Sequence, residues 1–225
     1  MLTCIASAVK TESFIGETLN FRIRYGFITG GQVRLVTHEG TTFDEPSMHI
    51  KVDMFTTGIV DNIYHLHDVY ESDLRTYDGL PLRFTRDVHE GKYTTWEQVD
   101  YFDNLVRSTT KGDYQVDKRY HDFVSAIYAV RCLDFQKLTV GHYTTIPTYY
   151  EEEIRNIRVF YQGKEEIKIN GKIYQCHKFA PILNDVEMFE KKAPFTIWIS
   201  DDDKRKPVFI KVNFKVGSFK VELID

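Results

Sequence analysis

Cysteine is scarce: the 225-residue chain holds three, Cys4, Cys132 and Cys176. No pair has the Cys-x-x-Cys spacing of a zinc or redox motif, so neither chemistry has a foothold. Cys4 falls outside the expected fold. That leaves a single Cys132–Cys176 bridge or, more simply, two free thiols, because free cysteine is commonly buried. Positive charge is not concentrated anywhere. The net charge is −4 and the longest basic run is Lys204-Arg205-Lys206, whereas nucleic-acid binding leaves a basic patch or stripe; no nucleic-acid partner is expected. No apolar run reaches the ~18 residues that a membrane-spanning helix needs. Common enzyme motifs are missing too: there is no Gly-x-Ser-x-Gly, no phosphate-binding glycine-rich loop and no His-Glu-x-x-His. Accordingly no catalytic residue, cofactor-binding residue or metal ligand is assigned from sequence, and no cofactor is expected.

Proline is sparse as well, with six residues against 14 Tyr and 16 Phe. Aromatic rings suit pleated, half-buried surfaces, so the composition leans towards sheet. Hydrophobic residues at 42% and charged residues at 28% are ordinary for a globular chain able to bury a core. The first eight residues, MLTCIASA, end in Ala6-Ser7-Ala8, the small-x-small pattern that precedes a signal-peptidase cut. Residues 1–12 are therefore expected to be a signal-peptide remnant or a frayed terminus, and 13–225 a single β-rich domain.

Alternation dominates that domain. In Leu19–Phe27 every odd residue is apolar and most even ones are polar, the mark of a half-buried antiparallel strand. Thr29-Gly30-Gly31 is the expected turn, with a return strand over 32–36. Met48–Met54 repeats the pattern. Further strands are predicted over 65–73, 82–89, 93–101, 104–110 and 113–118, then over 142–149, 154–161, 165–169, 172–179, 195–200, 207–214 and 217–223. Closely spaced turn signals make a meander of consecutive neighbours the economical topology. Asn170-Gly171 is the strongest hairpin signal, because a type I′ turn needs positive φ at both central residues. Residues 180–195 lack a period and are expected to be a long connection.

One segment changes period from 2 to 3.6. Phe123, Ala126, Ile127, Val130 and Leu133 recur at helical spacing behind Asp122, whose carboxylate can accept from the first-turn N–H groups. A helix is predicted over 122–134, with that stripe in the core. The expected fold class is thus all-β, mostly antiparallel: a curved meandering sheet forming a β-roll or open barrel, with one α-helix near 122–134.

Three clusters invite a chemical interpretation. Asp201-Asp202-Asp203 offers oxygens to a hard cation, but adjacent carboxylates rarely converge and Lys204, Arg205 and Lys206 follow, so a solvated turn is expected. His65 and His67 share a strand face, with Asp68 and Glu71 nearby; no third metal ligand is identifiable. Glu151-Glu152-Glu153 has no spacing that would set a carboxylate pair across a sheet.

Several segments taken in order, FIGETLNFRIRYGFITGGQVRL (14–35), RDVHEGKYTTWEQVDYFD (86–103), DFVSAIYAVR (122–131), YQGKEEIKINGKIYQCHKF (161–179) and IWISDDDKRKPVFIKVNFKVGSFKVEL (197–223), resemble the bacterial DUF3108 family, in the manner of its Bacteroidetes members. The resemblance implies a periplasmic or secreted protein built on a long curved sheet, and it implies no activity. Trp198, Asp202, Arg205, Pro207 and Gly217-Ser218 look like recurring positions of that family, which makes the 200–207 turn a structural corner; Arg205 is expected to pair with Asp202 across it. The expected function is a non-enzymatic cell-envelope protein that holds an apolar or amphipathic ligand, with lipid, glycan or an envelope protein as partner. The alternatives are a carboxylate-dependent hydrolase acting on polysaccharide and a pure scaffold or assembly factor.

Overall fold

The computed structural model describes residues 10–150, 153–182, 195–214 and 217–224. Its elements run β1 (Thr18–Tyr25), β2 (Ile28–Thr42), β3 (Glu45–Thr56), α1 (Gly58–Ile63), β4 (Leu66–Arg75), β5 (Pro81–Glu90), β6 (Tyr93–Tyr101), β7 (Leu105–Ser108), β8 (Gly112–Gln115), α2 (Phe123–Arg131), β9 (Tyr143–Tyr150), β10 (Glu153–Ile169), β11 (Lys172–Ile182), β12 (Phe195–Ser200), β13 (Pro207–Phe214) and β14 (Gly217–Ile224). All fourteen strands join one sheet in the order β8-β7-β6-β5-β4-β3-β2-β1-β14-β13-β12-β11-β10-β9. Two antiparallel meanders, β1–β8 and β9–β14, are thus spliced where β1 pairs with β14.

Sheets of this width twist and curl, and the curl brings the two edges together. Tyr114 of β8 and Tyr149 of β9 stand 6.0 Å apart between ring centroids, and the Tyr101 hydroxyl donates to the Tyr149 carbonyl at 3.2 Å. Side chains, not a strand ladder, bridge the seam. The free edge of β9 is covered by the segment entering α2: His121 N–H donates to Pro147 O and Tyr149 N–H to His121 O. Covering an edge in this way blocks pairing with other chains along the covered length.

α2 lies on the concave face against β4 and β9. Asp122 caps it as expected, accepting from Ser125 N–H at 2.7 Å while the Ser125 hydroxyl accepts from Asp122 N–H at 2.8 Å. Only the C-terminal end of the expected buried stripe is in the core, at Val130 and Leu133. Phe123 is 44% exposed, Ala126 and Ile127 are only half-buried, and the buried residues are Val124, Ser125, Tyr128, Val130 and Arg131. Arg131, which lies off that stripe, is fully buried with 0% exposure. Its partner Glu17 lies 114 residues earlier, beyond the reach of any local pattern.

Inward-facing side chains grade from one end of the curl to the other. Leu19, Phe21, Leu35, Met48, Ile50, Leu74, Phe84 and Leu223 are buried beside α2. Towards the opposite end Ile23, Val33, Val52, Met54, Tyr70 and Val221 are half-buried, and Tyr25 and Phe219 are exposed.

Local details correct three further expectations. The first hairpin turns at Gly26-Phe27, with Tyr25 opposite Ile28, rather than at Thr29–Gly31. Gly30 and Gly31 instead lie within β2, where a Cβ on Gly31 would sit 2.8 Å from the Phe55 carbonyl oxygen; close backbone approach, not a turn, explains that glycine. The short helix α1 had no periodic signature and adds a second helix to the one expected. The strands expected over 154–161 and 165–169 are one strand, β10, bent by a register shift between Tyr161 and Gly163. Asn170-Gly171 does form the β10–β11 turn, with φ of 50° and 83°. Cys132 and Cys176 are both free thiols; Cys4 lies outside the described residues, as does 183–194, most of the expected long connection.

Candidate functional site

A cavity of about 770 Å³ opens beside α2, between its C-terminal half, the start of β9 and the β4–β5 turn. Each wall has a local cause. The β4–β5 turn is held by Arg75, whose Nε donates to Asp78 Oδ1 at 3.0 Å and whose guanidinium lies 4.5 Å from the Tyr77 ring centroid. Gly79, with φ of 72°, leaves room for Thr11, whose hydroxyl oxygen would stand 2.6 Å from any Cβ there. From α2 come Tyr128, Ala129, Cys132 and Leu133, and from the approach to β9 come His142 and Tyr143 through Pro147.

The lining is mixed, with Ala129, Leu133, Ile146 and Pro147 set among polar side chains and three tyrosines, more polar than the usual small-molecule site. Tyr77 and Tyr143 present exposed rings on opposite walls. His121 Nδ1 stands 3.3 Å from the Ser125 hydroxyl, and burial pushes its pKa down to about 4, so the ring is neutral at pH 7. Tyr128 is buried and its hydroxyl makes no hydrogen bond to the described protein. The hydroxyl has no surface open to the cavity, and the Arg131 guanidinium lies 4.7 Å from the Tyr128 ring centroid, so Tyr128 contributes its ring rather than a polar contact. Both Asp78 oxygens are engaged by Arg75. The arrangement can bind an amphipathic molecule; among the described lining residues Asp78 is the only carboxylate, with none opposed to it as acid–base hydrolysis would need.

The residues singled out from sequence lie elsewhere. Asp201–Asp203 form the β12–β13 turn. Asp201 pairs with His177 Nε2 at 2.9 Å and with Lys164, while Asp202 accepts from the Lys204 and Arg205 amides at 3.0 Å each. Arg205 does not close on Asp202 through its side chain. Its guanidinium donates to the Arg131 and Leu133 carbonyls at the end of α2 and lies 4.1 Å from the Phe135 ring centroid. This turn is a corner lashed to the helix. Arg205→Ala removes two charge-assisted bonds to orphan helix carbonyls and is expected to lower stability by about 1.5–3 kcal/mol, against less than about 0.5 kcal/mol for the exposed Lys204→Ala; urea melts of the two variants decide.

His65 pairs with Asp61 and His67 with Asp53, each at 2.9 Å, so the two rings are turned to separate carboxylates. Among the described residues no group of three His, Cys, Asp or Glu is placed to hold a metal ion. Glu71 meets Lys51, and Glu153 pairs with Arg155; Glu151 and Glu152 are outside the described residues. Sequence reasoning missed the cavity. Its walls come from four stretches far apart in the chain, and no stretch carries a motif. It also missed the Tyr161–His177–Asp201 chain, with both links at 2.9 Å. That array resembles a catalytic relay, but Tyr161 is buried and its pKa is raised by burial, while burial lowers that of His177; a buried tyrosine held neutral is a structural hydrogen-bond donor.

Among the described residues no helix is long and apolar enough to cross a membrane. Comparison with curated proteins returns no match. Among solved structures the chain is similar to a protein from Brucella abortus, described as a beta-barrel-like protein of domain of unknown function DUF1849, with 10% identity and a TM-score of 0.57 over 94% of this chain and 98% of that one. At such identity the likeness is one of fold. A family described as protein of unknown function (DUF3108) matches residues 20–224, nearly the whole sheet from β1 to β14, and the chain belongs to the DUF3108 family.

Proposed function

We propose that this chain is a non-enzymatic cell-envelope protein, periplasmic or secreted, that holds an amphipathic small molecule in the cavity beside α2. The observation that carries this is the cavity itself. Its volume of about 770 Å³ falls within the ~300–1,000 Å³ of small-molecule sites. Its walls combine aromatic and aliphatic faces with the polar side chains of Lys10, Thr145 and His142. An apolar portion would lie against Leu133, Ile146 and Pro147, with polar atoms towards Lys10 and His142. A hydrolase is less well supported. Burial and then the neighbouring Asp68 raise the pKa of Glu90, and burial raises that of Asp68 against a hydrogen bond with Glu90 that lowers it, but Asp68 is fully buried and has no access to a polymer.

The test is a titration with anilinonaphthalene sulfonate, an amphipathic fluorophore. Wild type should bind it saturably, and Ala129→Trp, which fills the cavity, should weaken binding at least tenfold. Thr145→Trp, at an exposed lining position, does the same job without touching α2. Unchanged affinity in a folded Trp variant would overturn the proposal.

A further inference from the structure

β9 is an end strand of the sheet, so one of its edges has no neighbouring strand. Antiparallel ladders alternate hydrogen-bonded and non-bonded pairs. Tyr161 N–H donates to His142 O at 3.0 Å, which sets the phase between β10 and β9. Thr144, Ile146 and Thr148 therefore turn their backbone groups towards β10, and Tyr143, Thr145, Pro147 and Tyr149 turn theirs to the free edge. His121 fits this phase, donating to Pro147 O at 2.9 Å and accepting from Tyr149 N–H at 2.8 Å. The chain's own cover thus ends at Pro147. Among the described residues, nothing pairs with the N–H and C=O groups of Tyr143 and Thr145, and both residues are exposed.

Those four backbone groups open into the cavity beside α2. A cavity over one face of a strand is lined by alternate residues, because side chains alternate faces. This one is lined by every residue from Gly141 to Pro147, as a cavity running along the strand edge is. Its other walls are the end of α2 at Ala129 and Leu133 and the β4–β5 turn at Tyr77–Gly79. At the far end of the same edge, His121 forms a one-residue bridge with Thr148. The chain itself therefore already adds extended backbone to β9 there.

We infer that the cavity takes an extended peptide segment, added to β9 as an antiparallel strand. The inference rests on the reading of the cavity as a ligand site and names the ligand class. Unpaired strand edges pair with incoming chains, and strand addition draws its affinity from main-chain hydrogen bonds. Two peptide residues placed opposite Tyr143 and Thr145 satisfy all four free groups. The residue between them projects with Thr144 and Ile146, on the face where Ile146 packs with Val130 and Leu133, so an apolar side chain suits that position. Pro147 has no N–H and its carbonyl is taken by His121, so the added strand stops there. A folded partner would have to bring its own edge strand past α2 and the β4–β5 turn, whereas a single extended chain meets no such obstacle.

Fluorescence anisotropy with a labelled Thr-Val-Thr-Val-Thr peptide tests it, the valines being placed to project with Ile146. Wild type should bind it saturably. N-methylation of the threonine amides removes the donors aimed at β9 and should weaken binding at least tenfold; N-methylation of the valine amides, which face away from β9, should leave it nearly unchanged. Thr145→Pro removes a donor from the edge and no bond to β10, the situation of Pro147 two residues on, and proline is tolerated at such edge positions. It should keep the wild-type melting midpoint and lose peptide binding at least tenfold. Equal loss on methylating either set of amides, or unchanged peptide affinity in folded Thr145→Pro, would overturn the inference. Saturable binding of anilinonaphthalene sulfonate without peptide binding would also overturn it while leaving the cavity a ligand site; failure of both probes would overturn both readings. A concentration-dependent dimer that Thr145→Pro dissociates, with no peptide binding, would make the edge an interface between two copies and sink the inference too.

Discussion

Arg131→Ala is expected to unfold at a far lower urea concentration than Phe123→Ala, the reverse of what helical periodicity implies. The Arg131 guanidinium donates to both Glu17 oxygens at 2.8 Å each, to Lys204 O at 3.0 Å and to Arg205 O at 2.8 Å. It is sandwiched between rings, 3.9 Å from the centroid of Phe14 and 4.7 Å from that of Tyr128. One side chain therefore ties the approach to β1, the end of α2 and the β12–β13 corner. Removing it strands a mostly buried carboxylate and two carbonyls. Breaking such a pair from one side costs roughly 3–5 kcal/mol, a large part of the ~5–15 kcal/mol that holds a domain together.

Phe123 is 44% exposed, with its ring 6.1 Å from Tyr70, and its truncation should cost roughly 1 kcal/mol. Glu17→Gln separates charge from shape, since it keeps an acceptor but not the bidentate ion pair, and should fall between the two. Coincident melts for Arg131→Ala and Phe123→Ala would show that the buried pair does not hold the corner.

Asp122→Asn should change how stability depends on pH. Asp122 is fully buried, and burial pushes its pKa up to about 6, against hydrogen bonds from the Ser72 hydroxyl at 2.6 Å and the Ser125 amide at 2.7 Å, which favour the charged form. A carboxyl whose folded pKa exceeds its unfolded value of about 3.9 binds its proton more tightly in the folded chain. Its contribution is therefore fully present below about pH 4 and is lost as pH rises through 6. The loss approaches roughly 3 kcal/mol at 1.36 kcal/mol per pKa unit. Asparagine retains the capping oxygen and can donate to Ser72, but it does not titrate. Relative to the variant, wild type should lose stability between pH 4 and 7, measured as the difference in urea midpoints. Parallel pH curves for the two proteins would show that ionisation of Asp122 is not coupled to folding.

Much of what near neighbours in the chain set was legible in the sequence. Alternation from Leu19 to Phe27 makes a strand because side chains of a pleated backbone alternate faces. Asn170-Gly171 makes its hairpin because both central residues take positive φ. Asp122 starts α2 because its carboxylate reaches an amide three residues on. The ordered segments were also enough to bring the DUF3108 family to light. The Thr29-Gly30-Gly31 signal misled, since glycine serves turns and close approaches alike; the Phe55 carbonyl beside Gly31 accounts for that glycine, and the chain turns at Gly26-Phe27 instead.

Tertiary structure alone decided which face of α2 is inside. Periodicity ranks faces by hydrophobicity and counts arginine as solvent-facing. Here Glu17, 114 residues away, and the Lys204 and Arg205 carbonyls, 73 and 74 residues away, satisfy every donor that Arg131 uses, so the charge is buried and Phe123 is turned towards the open end. The cavity has the same origin. It assembles side chains from loops that meet only because β1 pairs with β14 and the sheet curls until β8 faces β9, and no local spacing encodes a meeting between strand ends from opposite halves of the chain.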